Sequence, residues 1–158
     1  MKNLKEIIQE KLKIGSKSKV NQYKYHPQNR GELLDLVKKL IQERGNNANL
    51  NDIDVSKIDD MNTLFYMRIN DEFNGDISEW DVSNVTDMHA MFKESKFNGN
   101  ISNWDVSNVT NMNRMFEKSK FKGNISEWNV NVDPEWMDNM FKRCPLEKNP
   151  PKWYKKII

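Results

Sequence analysis

Apolar side chains recur along this chain with a period of 24 residues. Residues 73–96 and 97–120 align without a gap, and most of their apolar positions are identical. A third copy starts at Phe121 and contains one inserted residue, and a divergent copy precedes them from Leu50. Self-similarity at a fixed period of this length is typical of a solenoid, in which each unit buries its apolar face against its neighbours.

The first half of each unit predicts a strand. Asn74-Gly75 predicts a turn in which glycine takes a positive φ. Ile77, Trp80 and Val82 then have the apolar spacing of a leucine-rich repeat, with Trp in the middle position. Strands from successive units would therefore pair in parallel, about 4.8 Å apart.

The second half of each unit predicts a short helix. Met88, Met91 and Phe92 lie at positions i, i+3 and i+4, and Thr86 precedes them as an N-cap. In the other units the matching caps are Asp59, Thr110 and Asp133. The predicted fold class is therefore α/β: a short leucine-rich-repeat-like solenoid with parallel strands, short helices and an N-terminal helical cap.

Two amphipathic stripes precede the repeats. The stripe over residues 4–14 predicts a helix that either folds back on its own domain or docks onto a partner, and the sequence leaves both open. The stripe over residues 29–44, with Asn29 as N-cap and Gly45 as its stop, predicts a helix that covers the first unit. The chain thus divides into a basic N-terminal helix and linker (1–28), a helical cap (29–49), about four repeat units (50–144) and a basic C-terminal cap (145–158).

Charge is distributed unevenly, although the net charge is only +2. Residues 1–30 contain eight Lys or Arg and two Glu, and residues 142–158 contain six and one. Residues 31–141 contain eleven Lys or Arg and twenty Asp or Glu. The basic ends are either solvated or meet an acidic partner, which would be nucleic acid or the acidic body of another copy. The candidate contacts at the C-terminal end are Lys152, Lys155 and Lys156.

Residues that carry chemistry are few. The two histidines, His26 and His89, have no cysteine beside them, and the single cysteine, Cys144, excludes an internal disulfide. No phosphate-binding glycine motif is present. The sequence therefore predicts no enzyme, no metal site and no cofactor. With no apolar run of membrane-spanning length and no visible secretory signal, we expect no membrane span and an intracellular setting, either a host cytoplasm or a virion.

One set of polar residues follows the repeat. Asp81 and Asp105 stand between the Trp and the Val of the predicted strand, so their side chains should point away from the core. The outward residues of successive units would form a column that is a candidate surface for a protein partner: Asp54, Glu79, Asp81, Asn103, Asp105, Glu127 and Asn129. The alternative is that each Asp accepts local hydrogen bonds in an Asx-type turn, and is structural. Asn84 and Asn108 are interpreted as internal ladder or turn residues.

The unit that begins at Phe73, Phe-Asn-Gly-Asp-Ile-Ser-x-Trp-Asp-Val-Ser-Asn-Val-Thr, resembles the repeat of the BspA-like leucine-rich-repeat surface proteins, a kind also found in Mycoplasma lipoproteins. The resemblance covers about residues 50–141, and Trp-Asp-Val-Ser-Asn-Val-Thr occurs unbroken twice. It implies a non-enzymatic recognition scaffold. Similar repeats occur in bacterial surface proteins, protists, large viruses and phages.

We therefore expect a scaffold for protein–protein interaction, of a kind suited to a short phage-encoded structural or host-targeting protein. Two alternatives are a nucleic-acid-associated protein that acts through its basic ends, and a cell-surface adhesin module. The expected partner is a protein of unidentified class, and self-association would bring the lysines of one copy against the acidic column of another. Sequence-specific binding of nucleic acid is not expected at physiological salt, because the acidic body repels it.

Overall fold

The computed structural model describes residues 23–66 and 70–157, so the helix predicted over residues 4–14 lies outside the described residues. Within this part of the chain, two α-helices flank a stack of turn-built units. Helix α1 spans Arg30–Arg44 and helix α2 spans Lys152–Ile157. Two single turns of 3-10 helix lie near the C-terminal end, at Pro134–Met137 and Pro145–Glu147.

The predicted α/β class, with its leucine-rich-repeat solenoid of parallel strands and short helices, is wrong. The described residues contain no strand, and none of the repeats contains an α-helix. Parallel pairing is reduced to single β-bridges between neighbouring units, namely Asn49 with Asp76, Asp60 with Asp87, and Asp87 with Asn111. Each unit is instead a succession of tight turns.

Asx turns explain why no strand forms. Asp76, Asp81 and Asp87 each accept, through Oδ1, the backbone N–H of the residue two positions on, at 2.9, 3.2 and 2.7 Å. A side-chain oxygen that captures this N–H holds the backbone in a turn. Because these residues lie only five and six positions apart, the segment predicted as a strand is not extended over the length that a typical strand needs.

Left-handed residues explain why no helix forms inside the units. Ala90 and Glu94 have φ values of 50° and 56°, and the equivalent Arg114 and Lys118 have 58° and 56°. Such a conformation interrupts a right-handed helix. The i, i+3, i+4 spacing that predicted a helix therefore belongs to two successive turns whose apolar side chains point the same way.

The predicted helix caps have a different role from the one expected. The backbone N–H of Thr86 donates to the carbonyl of Asp59, and that of Thr110 donates to the carbonyl of Thr86, both at 2.8 Å. Their hydroxyls donate to the same carbonyls at 3.2 and 3.1 Å. The threonines thus join neighbouring units instead of starting helices.

The repeated apolar residues are buried, as predicted, and the aromatic ones among them form columns. The indole N–H groups of Trp80, Trp104 and Trp128 each donate to a carbonyl of the preceding unit, at 2.9, 3.2 and 3.0 Å. These three side chains are at most 4% exposed. A parallel column of fully or almost fully buried phenylalanines has ring centroids 5.4 to 5.8 Å apart: Phe65, Phe92, Phe116 and Phe141.

The glycine of each unit is needed for space and not for a positive φ, which corrects the predicted turn. Among the described glycines only Gly45 has a positive φ. A Cβ atom on Gly99 would lie 2.7 Å from the ring of Phe97, and one on Gly123 would lie 2.7 Å from the ring of Phe121. The glycine therefore leaves room for the phenylalanine two residues before it.

The two helices close the ends of the stack. Helix α1 begins as predicted, with Asn29 Oδ1 accepting the N–H of Glu32 at 3.0 Å, and ends at Gly45 with a φ of 86°. Its buried side chains, Leu33 among them, join the core. At the other end, Trp153 of α2 donates its indole N–H to the carbonyl of Ile125 at 2.7 Å. A helical residue thus extends the tryptophan column of the repeats.

Candidate functional site

The three aspartates of the predicted column lie at one repeat position, and each accepts hydrogen bonds from the serine two residues on. Asp54, Asp81 and Asp105 accept the hydroxyl of the serine two residues on at 2.6 Å in all three cases. The backbone N–H of the same serine donates to the same oxygen at 3.1 to 3.2 Å. The interpretation of these aspartates as turn residues is confirmed. Whether their outer oxygens also meet a partner stays a prediction.

The remaining members of the column flank the buried tryptophans. Glu79, Asn103, Glu127 and Asn129 are exposed. The backbone N–H of Glu79 donates to the side chain of Asn51 in the preceding unit at 3.0 Å, so this part of the column also has a structural contact. The seven predicted residues thus occupy two repeat positions, one on each side of the tryptophan position, in neighbouring units. Their binding role stays a prediction.

The N-terminal end of the column is covered by the chain itself. His26 Nδ1 lies 3.2 Å from Asp54 Oδ2. Burial on its own would raise the pKa of the Asp54 carboxyl, but the hydrogen bonds from Ser56 and the contact with His26 hold that pKa below its ordinary value. Burial, together with the charges of Asp54, Asp81 and Glu79, raises the pKa of the Tyr23 hydroxyl. Residues 23–28 thus lie beside the acidic column.

Two other sequence interpretations can be placed. Asn84 Nδ2 donates to the carbonyl of Ser56, and Asn108 Nδ2 to the carbonyl of Ser83, both at 2.7 Å, so the predicted asparagine ladder is confirmed. The candidate lysines, Lys152, Lys155 and Lys156, are exposed on α2, at the opposite end of the stack from Asp54. Their contact with another copy stays a prediction.

A second surface was not found from the sequence, and it centres on Trp136. Its side chain is 46% exposed, which makes it the exposed large hydrophobic residue of the described chain. It lies in the 3-10 turn Pro134–Met137. The helix start predicted from Asp133 as N-cap is correct in position, but the element is a 3-10 turn, and the Asp133 side chain makes no capping hydrogen bond.

Trp136 replaces a turn-forming residue. The N–H groups of Met61, Met88 and Met112 donate to the carbonyls of Asp87, Asn111 and Trp136 at 2.9, 2.9 and 2.8 Å, which are equivalent bonds in successive units. Trp136 therefore occupies the repeat position that Asp87 and Asn111 occupy in the preceding units.

A proline-led turn makes this replacement compatible with the fold. The side chains of Asp87 and Asn111 hold their own turns, through bonds to backbone N–H groups at 2.7 and 3.2 Å. In the last unit Pro134 sets the turn, and the N–H of Trp136 donates to the carbonyl of Asp133 at 2.9 Å. Since the backbone closes this turn itself, the side chain at position 136 is not needed to form it.

An open groove of about 410 Å³ adjoins this tryptophan. It combines an aromatic wall with two carboxylates and contains no basic side chain, and its lining residues are Asp87, Thr110, Asn111, Asn131, Val132, Asp133 and Trp136. Both oxygens of Asp87 already accept one hydrogen bond, Oδ1 from the N–H of His89 at 2.7 Å and Oδ2 from the side chain of Asn111 at 3.2 Å, whereas the Asp133 side chain makes no capping hydrogen bond. A surface of this composition is suited to a ligand that brings both positive charge and apolar area.

The sequence did contain one signal for this site. Trp80, Trp104 and Trp128 follow one another at 24 residues, in register with the repeat, whereas Trp136 falls outside that register. A tryptophan outside the register is a candidate for exposure, although Trp153, which also lies outside it, donates its indole N–H to the carbonyl of Ile125.

The remaining reactive groups give no further site. Cys144 is buried, and burial raises the pKa of its thiol. Among the described residues, no group of three or more His, Cys, Asp and Glu side chains is arranged to hold a metal ion. None of the described helices has the length and apolarity needed to cross a membrane.

The comparisons with known proteins point to a single family. The family model described as "Mycoplasma protein of unknown function, DUF285" matches residues 35–153. No curated protein and no solved structure matches the chain significantly. The match gives no support to the expected phage or virion origin, and that expectation is withdrawn together with the strand-built solenoid.

Proposed function

This chain belongs to the Mycoplasma family of unknown function DUF285, and we propose that it is a non-enzymatic protein–protein interaction module that binds its partner at the groove beside Trp136. The observation that carries the proposal is the exposure of Trp136 in a chain whose repeat tryptophans are all buried. Tryptophan is enriched among the few residues that dominate the binding energy of protein interfaces.

The surroundings of Trp136 support the same conclusion. The tryptophan projects from a turn whose backbone closes without its side chain, and it borders an open groove. A rigid support for an exposed aromatic residue lowers the entropy that is lost on binding. The acidic column is a weaker candidate, because the described structure has no exposed large apolar side chain beside Asp54, Asp81 and Asp105.

The resemblance of the repeat string to the BspA-like surface proteins supports a recognition role. Membership of that group is proposed on the string Trp-Asp-Val-Ser-Asn-Val-Thr, which occurs at residues 80–86 and 104–110. It does not depend on a leucine-rich-repeat architecture.

Site-specific photo-crosslinking tests the proposed function. A photoreactive amino acid at Asn131, which lines the groove, is compared with the same amino acid at Gln42, an exposed position of α1. In an extract of the cells that express the protein, we expect a discrete protein adduct from position 131 that is lost when Trp136→Ala is added. Equal adducts from both positions, or an adduct that survives Trp136→Ala, would refute the proposal.

A further inference from the structure

We propose that the groove beside Trp136 receives an arginine side chain of the partner protein. This inference rests on the proposed function and specifies the chemistry of its ligand. The groove has an aromatic wall, Trp136, and two carboxylates, Asp87 and Asp133, and none of its lining residues is basic. An exposed aromatic face beside negative charge is the arrangement that attracts an organic cation.

The same chain shows this combination twice with its cation in place. Arg44 places its guanidinium carbon 5.8 Å from the ring centre of Tyr25, and it donates to both carboxylate oxygens of Asp52 at 3.0 and 2.9 Å. Arg44 also donates to the carbonyl of Asn49 at 3.1 Å. Its bonds to Asp52 and Asn49 thus connect the end of α1 to the first unit. One arginine thus contacts an aromatic ring and a carboxylate at the same time.

The second example uses lysine. Lys93 Nζ lies 5.1 Å from the ring centre of Tyr66. The same atom lies 3.2 Å from Glu117 Oε2, an ion-pair distance without hydrogen-bond geometry. At Trp136 the aromatic ring and the carboxylates are present, but the lining residues supply no cation. We assign this missing cation to the partner protein.

Arginine fits the groove better than lysine for two physical reasons. Its planar guanidinium stacks on an aromatic face while its N–H groups reach carboxylates in the same plane, whereas an ammonium is a point charge with a tightly held hydration shell. The open groove of about 410 Å³ also leaves room for the planar group and its stem. The exposed cations of helix α2 are lysines, so a second copy offers the less suitable group there.

The indole N–H resonances of the ¹⁵N-labelled full chain provide the test. The probe is acetyl-Gly-Arg-Gly-Arg-Gly-amide, and the matched controls replace both arginines by lysine or by citrulline, which keeps the shape and removes the charge. The Trp136 resonance is identified by its loss in Trp136→Phe. We expect the arginine peptide to shift this resonance saturably, the lysine peptide to bind more weakly, and the citrulline peptide to leave it unchanged.

Two variants separate the contributions of the ring and the charge. Trp136→Leu keeps an apolar side chain but has no indole resonance at this position, so its binding is followed through the backbone amides of Asn131 and Val132, which line the groove. It should weaken binding about two- to fivefold, as expected for an exposed cation–π contact. Asp133→Asn should weaken binding by a similar factor of about two to five and reduce its dependence on salt. Equal binding of the arginine and citrulline peptides, or shifts centred on a buried indole, would overturn the inference.

A failure of the arginine inference can be distinguished from a failure of the proposed function. An adduct at position 131 that depends on Trp136, combined with no binding of the arginine peptide, would overturn the inference and leave the interaction module standing. A Trp136 resonance that moves with protein concentration, together with a dimer in sedimentation, would show that a second copy fills the groove and would also overturn the inference.

Discussion

In the first half of each repeat unit, aspartates and asparagines direct the path of the chain through their side-chain oxygens. Asp76, Asn100 and Asn124 occupy one position in three successive units, and each accepts the N–H of the serine two residues on, at 2.9, 3.0 and 3.0 Å. Because the accepting atom is Oδ1 in every case, the amide and the carboxylate are equivalent in this role. The negative charge of the aspartates is therefore not what the turns require.

Substitution of Asp105 tests this equivalence. Asp105→Ala removes the acceptor of the Ser107 N–H and hydroxyl, and should lower the free energy of unfolding by about 1 kcal/mol, as the loss of a capping side chain does. Asp105→Asn keeps the acceptor and should cost less than about 0.5 kcal/mol. Urea denaturation measures both. An asparagine variant as unstable as the alanine variant would show that the charge itself is needed.

Acidification provides a second test at the same residues. The Ser107 hydroxyl and N–H hold the pKa of the Asp105 carboxyl below its ordinary value, and the Ser78 N–H and hydroxyl do so for Asp76. A pKa that is lower in the folded protein stabilises the fold above the unfolded value of about 4, and this stability is lost as the pH falls through the folded pKa.

We therefore expect these carboxyls to leave the free energy of unfolding steady from pH 7 to about pH 5 and to lower it below about pH 4. Urea midpoints measured across this range check the sign. Asp105→Asn, which cannot titrate at this position, should show the smaller loss. A fold that became more stable on acidification would contradict the assignment.

At the scale of the element, helix α2 covers the last unit with a tryptophan that bonds to the stack as the repeat tryptophans do. Trp153 donates to the carbonyl of Ile125, as Trp128 donates to that of Ile101, and the two indoles lie 6.4 Å apart with their planes at 19°. Stacks of repeats need a last layer that covers the exposed apolar end. The helix supplies this layer with Trp153, and with Tyr154, whose ring centre lies 4.9 Å from that of Phe141.

Trp153→Phe tests the hydrogen bond of this cap together with the packing of the larger indole ring. The phenylalanine keeps an aromatic ring but leaves the Ile125 carbonyl without its indole donor, so the free energy of unfolding should fall by about 1 kcal/mol. Thermal denaturation is the measurement, and Tyr154→Phe, which keeps the neighbouring ring of the same helix, is the control. A loss no larger than that of the control would mean that the bond does not hold the cap.

The limits of sequence interpretation are clearest at this scale. Helix α1 was predictable because Asn29 and Gly45 are residues whose capping roles are local. The turn-built units were not, because the left-handed positions are occupied by Ala90 and Arg114 in place of glycine, and nothing in those residue types reveals a positive φ. The aspartate column was predictable as a pattern, whereas Trp136 was visible only as a departure from the pattern.

At the scale of the whole molecule, opposite charges one unit apart favour the observed register. Lys96 Nζ lies 2.7 Å from Glu72 Oε2, and Lys118 Nζ lies 3.0 Å from Glu94 Oε1, each across 24 residues. A slip of one unit would separate Glu94 from Lys118 and Glu72 from Lys96. The charges therefore add specificity to a stack whose apolar columns repeat nearly identically.

A charge swap tests this register. Glu94→Lys should lower the free energy of unfolding by about 0.5 to 1 kcal/mol, because it opposes two lysines. Adding Lys118→Glu should restore most of that loss. Both residue types already occur at these positive-φ positions, with φ of 56° at Glu94 and at Lys118, so the swap adds no new backbone strain. A double variant as unstable as the single one would exclude a role for the pair.

The most direct test of the account is the stability of two tryptophan variants measured side by side. Trp104 is 4% exposed and bonded to the carbonyl of Ile77, whereas Trp136 is 46% exposed on a turn that its backbone closes. In urea denaturation, Trp104→Ala should lower the free energy of unfolding by about 3–5 kcal/mol, and Trp136→Ala should change it by less than about 0.5 kcal/mol. A large loss at Trp136 would show that the fold depends on this side chain, and would contradict its assignment to a partner.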